Sequence, residues 1–453
     1  MDRRGHQRLA DIPWGRSYFQ DDVPVRDQVA FTGHSVRALY LAAAAVDIAV
    51  ETGDEPLLEA IIAQWERTVD RRTYLTGGMG SHDGEKVGED FVLPPDRAYS
   101  ETCAGIASVM LSWRLLLATG EPRFADLAER TLFNVVATSP APDGRAFFYA
   151  NPLHQRIPGV VQSPDFVSHR AASSLREPWF AVSCCPTNVA RTLASLGAYL
   201  ATSDDAGLQI HQYADSRIST TLANGRRVGV DVETKYPDDG RISIRVTETD
   251  GLPWTLTLRV PEWSTEAWLT DRGERSPVEP GTTSVEGHFA VGDSIHLDIG
   301  MTPRWVIPDS RVDSIRGCLA VERGALVLCV ESVDLPDEAS VDDIRIDPGS
   351  DLEVHKEKVI ARGRLLEFED RPWPYPETND HALSGRDVEI PLTPYHHWAN
   401  RGPSTMRVWI PAATIEADSR RRDDRCTIHR HRDRRRSLGV EDAEPGLGDP
   451  DAP

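Results

Sequence analysis

Two adjacent cysteines, Cys184 and Cys185, stand before Pro186, and the helical run VARTLASLGAYLA follows shortly after. Proline is favoured where a helix opens, so the order predicts both thiols at a helix N-terminus. Unpaired N–H groups and the helix dipole at such an end favour thiolate over thiol. Neighbouring cysteines rarely bridge each other, and two thiolates side by side attract a cation. Glu101 and Cys103, about eighty residues earlier, can complete a four-ligand Zn2+ site of one carboxylate and three sulfurs. Residues two apart on a regular helix point to opposite sides, so this pair shares an ion only if the helix begins at or just after Cys103. Three ordinary buried cysteines are the alternative on spacing alone.

Glu101 and Cys103 end a long loop, residues 76–103, reading TGGMGSHDGEKVGEDFVLPPDRAYSETC. Loops longer than about a dozen residues inside a compact domain are usually functional or disordered. This one holds five acidic side chains before Glu101. Glu85 is one of them, and a loop carboxylate facing a pocket can serve as a general acid if burial raises its pKa. Most loop carboxylates are merely solvated. His34, at the start of its helix, reads by itself as a surface or capping residue. Tyr149, in FYANP, reads as a core or rim aromatic. Cys318 and Cys329 lie in apolar runs and read as small buried hydrophobes rather than ligands or a disulfide. Cys426 falls in an arginine-rich stretch and has no specific role assigned.

The elements that must position these groups change character along the chain. Val36, Leu39, Tyr40, Ala43 and Val46 repeat at helical spacing up to Thr52-Gly53. Asp54 is placed to cap a second helix through Ile61, Ile62, Trp65 and Val69. After the loop, Ile106, Met110, Trp113 and Leu117 mark a third helix ending at Thr119-Gly120, and Glu121-Pro122 opens a fourth with Phe124, Leu127, Leu132 and Val135. The Thr-Gly-acid turn thus recurs after 67 residues. A further helix end is expected at 200–204. Repeated helical hairpins with long loops at one end suggest an α/α toroid or solenoid. The five or six helices expected here are fewer than a closed double ring needs. Beyond Leu208 the period becomes two: Ile242, Ile244 and Val246, then Trp254, Leu256 and Leu258, then Ile295, Leu297 and Ile299. That segment reads as a β-sandwich to residue 308, and a second β segment follows with GCLAVERGALVLCVE, VEIPLTPYHHWA and MRVWIP. The predicted domains are 1–205 helical, 206–308 and 309–416 β-sandwich-like, and 417–453 a disordered tail; residues 420–436 hold nine Arg.

The totals narrow the classes. Forty per cent hydrophobic residues in 453 suffice for two or three cores. A formal charge of −21 argues against phosphate-rich partners, so no nucleic-acid role is expected despite the arginine tail. No apolar run reaches the roughly 18 residues of a membrane span, and the charged start lacks the apolar core of a secretory signal. A cytoplasmic protein without membrane contact is the expectation.

The stretches GHSVRALYL, YLTGGMGSHDGEKVGEDFVLPPDRAYSETCA, FFYANPL, CCPTNVART and ANRGPSTMRVWIP together resemble glycoside hydrolase family 127, the β-L-arabinofuranosidases. The likeness runs from about residue 20 to 412. It implies an (α/α)6 barrel followed by β-sandwich domains, and a zinc site of Glu101, Cys103, Cys184 and Cys185. It implies Cys184 as nucleophile, Glu85 as acid/base, and His34 and Tyr149 lining the sugar pocket. The expected reaction is retaining hydrolysis of a small oligosaccharide or glycoside bearing a β-linked L-arabinofuranose-type sugar. The family pattern also implies a long helical stretch ahead of GHSVRALYL that this sequence does not show, so the toroid is expected to be partial. Self-association or a complementing subunit is the corresponding partner expectation. An inactive or subunit-dependent zinc-binding, carbohydrate-recognising remnant is the competing one.

Overall fold

A computed structural model describes residues 15–81, 84–160, 174–336, 339–367, 375 and 385–413. The arginine-rich tail and Cys426 lie outside the described residues.

Five α-helices are present among them: α1 Ser35–Thr52, α2 Glu55–Arg72, α3 Thr102–Thr119, α4 Pro122–Thr131 and α5 Cys184–Ser195. The stops and starts follow the local chemistry. Gly53 and Gly120 close α1 and α3 in the left-handed region, which glycine enters without a Cβ clash. Asp54 caps α2 by accepting the Leu57 N–H at 3.2 Å. α3 is apolar on almost every side, and by length and mean hydropathy (1.4) it would pass for a membrane span. Its place is the middle of the helical layer, packed by α1, α4 and α5. Leu39, Val46, Ile61, Trp65, Leu111 and Phe124 join the helices in one core.

Three features depart from the sequence reading. α5 begins at Cys184 rather than after Cys185, and Pro186 sits inside its first turn, where a missing N–H costs nothing. The expected helix end at 200–204 is a short strand, Ala201–Ser203, paired with Gly207–Ile210. α4 runs on as a π-helical turn, Leu132–Val136. That turn lets Asn134 donate to the Ala325 carbonyl and accept the Val327 N–H, both at 2.8 Å.

The middle of the chain is a sandwich. A six-stranded sheet (Glu274–Pro277, Ala267–Asp271, Ser294–Ile299, Arg241–Glu248, Arg227–Thr234, Ser216–Thr221) faces a four-stranded one (Gly281–Gly287, Trp254–Val260, Gly207–Ile210, Ala201–Ser203). The alternating residues predicted to be buried, Ile242, Leu256 and Leu297 among them, form their shared core. The C-terminal strands join one connected ten-stranded sheet. Cys318, Ala320, Val327 and Cys329 face one core and Leu319, Val321, Leu326 and Leu328 the other. Burial on both faces is why this stretch reads as an unbroken apolar run. Cys318 and Cys329 are free and buried, as expected. The described structure is therefore mixed, helical first and β-rich after, without a closed helical ring among the described residues.

The three parts are locked together by buried polar groups. Arg259, its side chain fully enclosed, reaches Asp126 and Glu129 of α4 at 2.5 Å each. Glu322 binds Arg304 at 2.6 Å and also pairs with Arg130 of α4. The short strand His154–Gln155 pairs with Met406–Arg407, which continues the C-terminal sheet. Phe148 stacks on Trp398 with ring centres 4.9 Å apart and planes 6° from parallel. The segment around residues 147–155 is thereby held from the C-terminal side.

Candidate metal centre and the carboxylate beside it

That segment fixes the start of α3. Glu101 forms an isolated bridge with Ala150. The Thr102 N–H donates to the Tyr149 carbonyl and the Thr102 hydroxyl to the Phe148 carbonyl, each at 2.9 Å. Asn151 donates to the Ser100 carbonyl at 2.8 Å. Glu101 is consequently extended (φ −61°, ψ 138°) while Thr102 already begins the helix. The helix starts one residue before the position the spacing argument required. The convergence survives because the opposite-sides rule holds only between two helical residues, and Glu101 is not one.

Glu101, Cys103, Cys184 and Cys185 come together, with one ligand atom of each inside a 4.8 Å span. The sulfurs of Cys103 and Cys185, 82 residues apart in sequence, are 3.8 Å apart, as are those of Cys184 and Cys185. Cys184 Sγ lies 3.7 Å from Glu101 Oε1. Four ligands about 2.3 Å from a common ion stand about 3.8 Å from one another in a tetrahedron, so the group matches a four-coordinate zinc site. Both helices point their N-termini at the cluster, adding positive partial charge to it. Contact with Cys184, against an opposing pull from Cys185 and with burial and the Glu101 charge adding to it, pushes the Cys103 thiol up; contact with the other two sulfurs and then burial do the same for Cys185. Such donors become anionic together only with a cation between them. Cys103 and Cys185 are buried and Cys184 is exposed.

Glu85 sits beside this cluster on a left-handed residue (φ 66°). Next to it, Gly33–His34 and Lys86–Val87 form a two-stranded ribbon in which His34 opposes Lys86. His34 Nε2 is in close contact with Glu85 Oε2, Tyr149 donates to Oε1 at 2.5 Å, and Tyr99 donates to Oε1 at 3.3 Å. His34 is thus buried on the carboxylate, not a surface cap, and Tyr149 is a donor as well as a packing residue. Burial, then the charges of Glu101, Tyr99 and Glu85, hold the Tyr149 phenol protonated. Tyr99 and Tyr149 pack edge to face at 5.9 Å and share a small core with Cys103 and Cys185, which makes the two sites neighbours. A cleft of about 490 Å³ lined by Tyr18, Asp22, Arg72 and Lys86 opens along the ribbon, and the sulfurs are not part of its wall.

Two residues at the site were not singled out from the sequence. Tyr99 precedes Glu101 by two, but Ser100 between them has a positive φ (35°), so no strand period in the sequence pointed to it. Asn188 follows Cys184 by four on a helix, the corresponding helical signal; its Nδ2 donates to Cys103 Sγ at 2.9 Å.

Three consecutive stretches match family descriptions. Residues 2–198 match "Beta-L-arabinofuranosidase, GH127 catalytic domain", 207–301 the family's middle domain and 303–411 its C-terminal domain. The chain belongs to glycoside hydrolase family 127. The non-reducing end β-L-arabinofuranosidase of Bifidobacterium longum subsp. longum is 32% identical over 420 residues, covering 87% of this chain and 61% of that protein. A crystallised family 127 β-L-arabinofuranosidase of Geobacillus stearothermophilus T6 superposes with a TM-score of 0.80 at 32% identity, over 90% of this chain and 65% of that one. Another solved family 127 β-arabinofuranosidase gives 0.76 at 29%, over 87% and 62%. The chain therefore spans about three-fifths of the curated relative's length.

Proposed function

We propose that this family 127 chain is a retaining glycoside hydrolase that releases L-arabinofuranose-type sugars from β-linked substrates. Cys184 is the nucleophile, Glu85 the acid/base, and Glu101, Cys103, Cys184 and Cys185 the zinc ligands. The observation that carries the reading is one exposed sulfur at the corner of a four-ligand cluster whose neighbour is a carboxylate held by His34, Tyr99 and Tyr149. The curated relative's activity as a non-reducing end β-L-arabinofuranosidase supports the sugar class.

Zinc, when bound, supplies the positive charge that keeps the thiols ionised at neutral pH. In the first step the Cys184 sulfur uses a lone pair to form a bond to the anomeric carbon. The bond from that carbon to the leaving oxygen breaks, and Glu85 delivers its proton to that oxygen. In the second step Glu85 takes a proton from water as the water oxygen attacks the same carbon. The carbon–sulfur bond breaks with its electron pair returning to Cys184. Two inversions leave the configuration retained. His34 and Tyr149, already on the Glu85 oxygens, orient the carboxylate and hold it against the sugar.

The test is hydrolysis of a nitrophenyl β-L-arabinofuranoside by the wild type and by Cys184→Ser. A drop of at least about a thousand-fold in the variant is expected for loss of the nucleophile. Equal, null rates in both proteins would sink the enzyme reading. They would favour the second one, a zinc-binding, carbohydrate-recognising protein that turns over only with another subunit. That alternative has its own observation: Trp179 and Phe180, 53% and 97% exposed, stand just before Cys184.

A further inference from the structure

The three sulfurs of the cluster are held differently. Asn188 lies one turn into α5, and its Nδ2 donates to the Cys103 sulfur at 2.9 Å. An amide can turn either its nitrogen or its oxygen toward a neighbour. Here the choice is set from behind, because Arg191 Nε donates to Asn188 Oδ1 at 2.7 Å, a bond only the oxygen can accept. Arg191 is itself anchored on α1, where its Nη2 donates to the Tyr40 hydroxyl, and on α3, where it reaches Met110 Sδ at 3.4 Å. A relay therefore runs from Tyr40 through Arg191 and Asn188 to Cys103, crossing the three helices that surround the centre.

Charge gives the relay a purpose. Three thiolates and a carboxylate around a divalent ion leave a net −2, and an N–H donor backed by a guanidinium offsets part of it. We infer that Asn188 is a positioning residue of the metal centre: it draws charge from the Cys103 sulfur and fixes it as a permanent ligand, while Arg191 and Tyr40 keep its amide the right way round. Cys184 is the sulfur on the exposed side, the one that faces a substrate on the reading above. The inference rests on the metal-centre reading above and adds a residue that acts on the ion only through another.

The test uses Co2+ as the probe, in the 453-residue chain stripped of metal. Wild type should show a sulfur-to-cobalt charge-transfer band. In Asn188→Ala the sulfur loses its donor and its lone pair rises in energy, so the band should move to longer wavelength. Co2+ binding should weaken by roughly 10- to 100-fold, the usual cost of losing an outer-shell partner. Asn188→Leu has a similar volume, no charge and no N–H, so it should weaken Co2+ binding and move the band; a space-filling role would leave both unchanged. Arg191→Ala, at an exposed position, frees the amide to turn and should give a smaller shift in the same direction. A wild-type band that stays put in Asn188→Ala and Asn188→Leu overturns this inference alone. No sulfur-to-cobalt band in the wild type overturns the metal centre and the inference with it.

Discussion

The Tyr149 hydroxyl stands 2.5 Å from Glu85 Oε1, and the carbonyl of the same residue accepts the Thr102 N–H at 2.9 Å. One residue thus ties the carboxylate of the loop to the first turn of the helix that carries Cys103. The segment that makes both contacts is clamped by Trp398, whose ring stacks on Phe148.

Tyr149→Phe keeps the ring and removes the donor. A hydrogen bond to a charged group is worth about 1.5–3 kcal/mol, so a fall of roughly ten- to a hundred-fold in kcat/KM is expected. The charged form of Glu85 loses a partner, so the alkaline limb of the pH–rate profile should move to higher pH. A profile that superposes on the wild type's would count against Glu85 as the acid.

On the zinc reading proposed above, chelation should destabilise the protein, because an ion held by the folded cluster would not be held by the separated ligands. With free zinc at a hundred times its dissociation constant the stabilisation is about 2.7 kcal/mol. Calorimetric scans with and without chelator should differ for the wild type and coincide for Cys103→Ala. The chelator effect should also shrink in acid, where protons compete for the sulfurs.

Asp126 offers a pH test at the junction of the helical part and the sandwich. Burial, against the pull of Arg259 and with help from Glu129, raises it to about 6. An acid with a raised folded value binds more protons when folded, so its stabilising contribution is full below about pH 4 and is lost as pH climbs through about 6. Asp126→Asn cannot titrate. Urea midpoints at pH 5 and pH 7.5 should show the variant gaining on the wild type at the higher pH; a constant difference would contradict this.

Gly105→Ala would strengthen an isolated helix by about 0.5–1 kcal/mol. In α3 the new Cβ would meet Val135 Cγ1 at 2.7 Å, on a side chain that is fully buried in the π-helical turn. Overpacking of this kind costs about 1–3 kcal/mol, so net destabilisation is expected. A raised thermal midpoint would show that the turn can yield.

Much of the architecture was legible because it is written at short range. Thr-Gly stops, the Asp54 cap and the strand alternation at Ile242 to Val246 act within a few residues of themselves. The four side chains that cluster were legible too, since one carboxylate and three sulfurs next to helix starts make a recognisable donor set. The misread positions share another cause. His34 looked like a surface cap because the Glu85 carboxylate that buries it is brought there by a long loop. Ala201–Ser203 looked like a helix end because its strand partner lies beyond the turn.

By itself, then, the order of residues determined the helix-then-strand layout, the family and the kinds of donor available. Tertiary structure alone decided that Glu101 stays extended while Thr102 turns helical, that Asn188 faces Cys103, and that Arg259 is enclosed against α4. The reason is range: propensity and periodicity act over one or two turns, whereas these contacts close loops of dozens of residues and hold only once packing and desolvation outweigh the entropy of closing them.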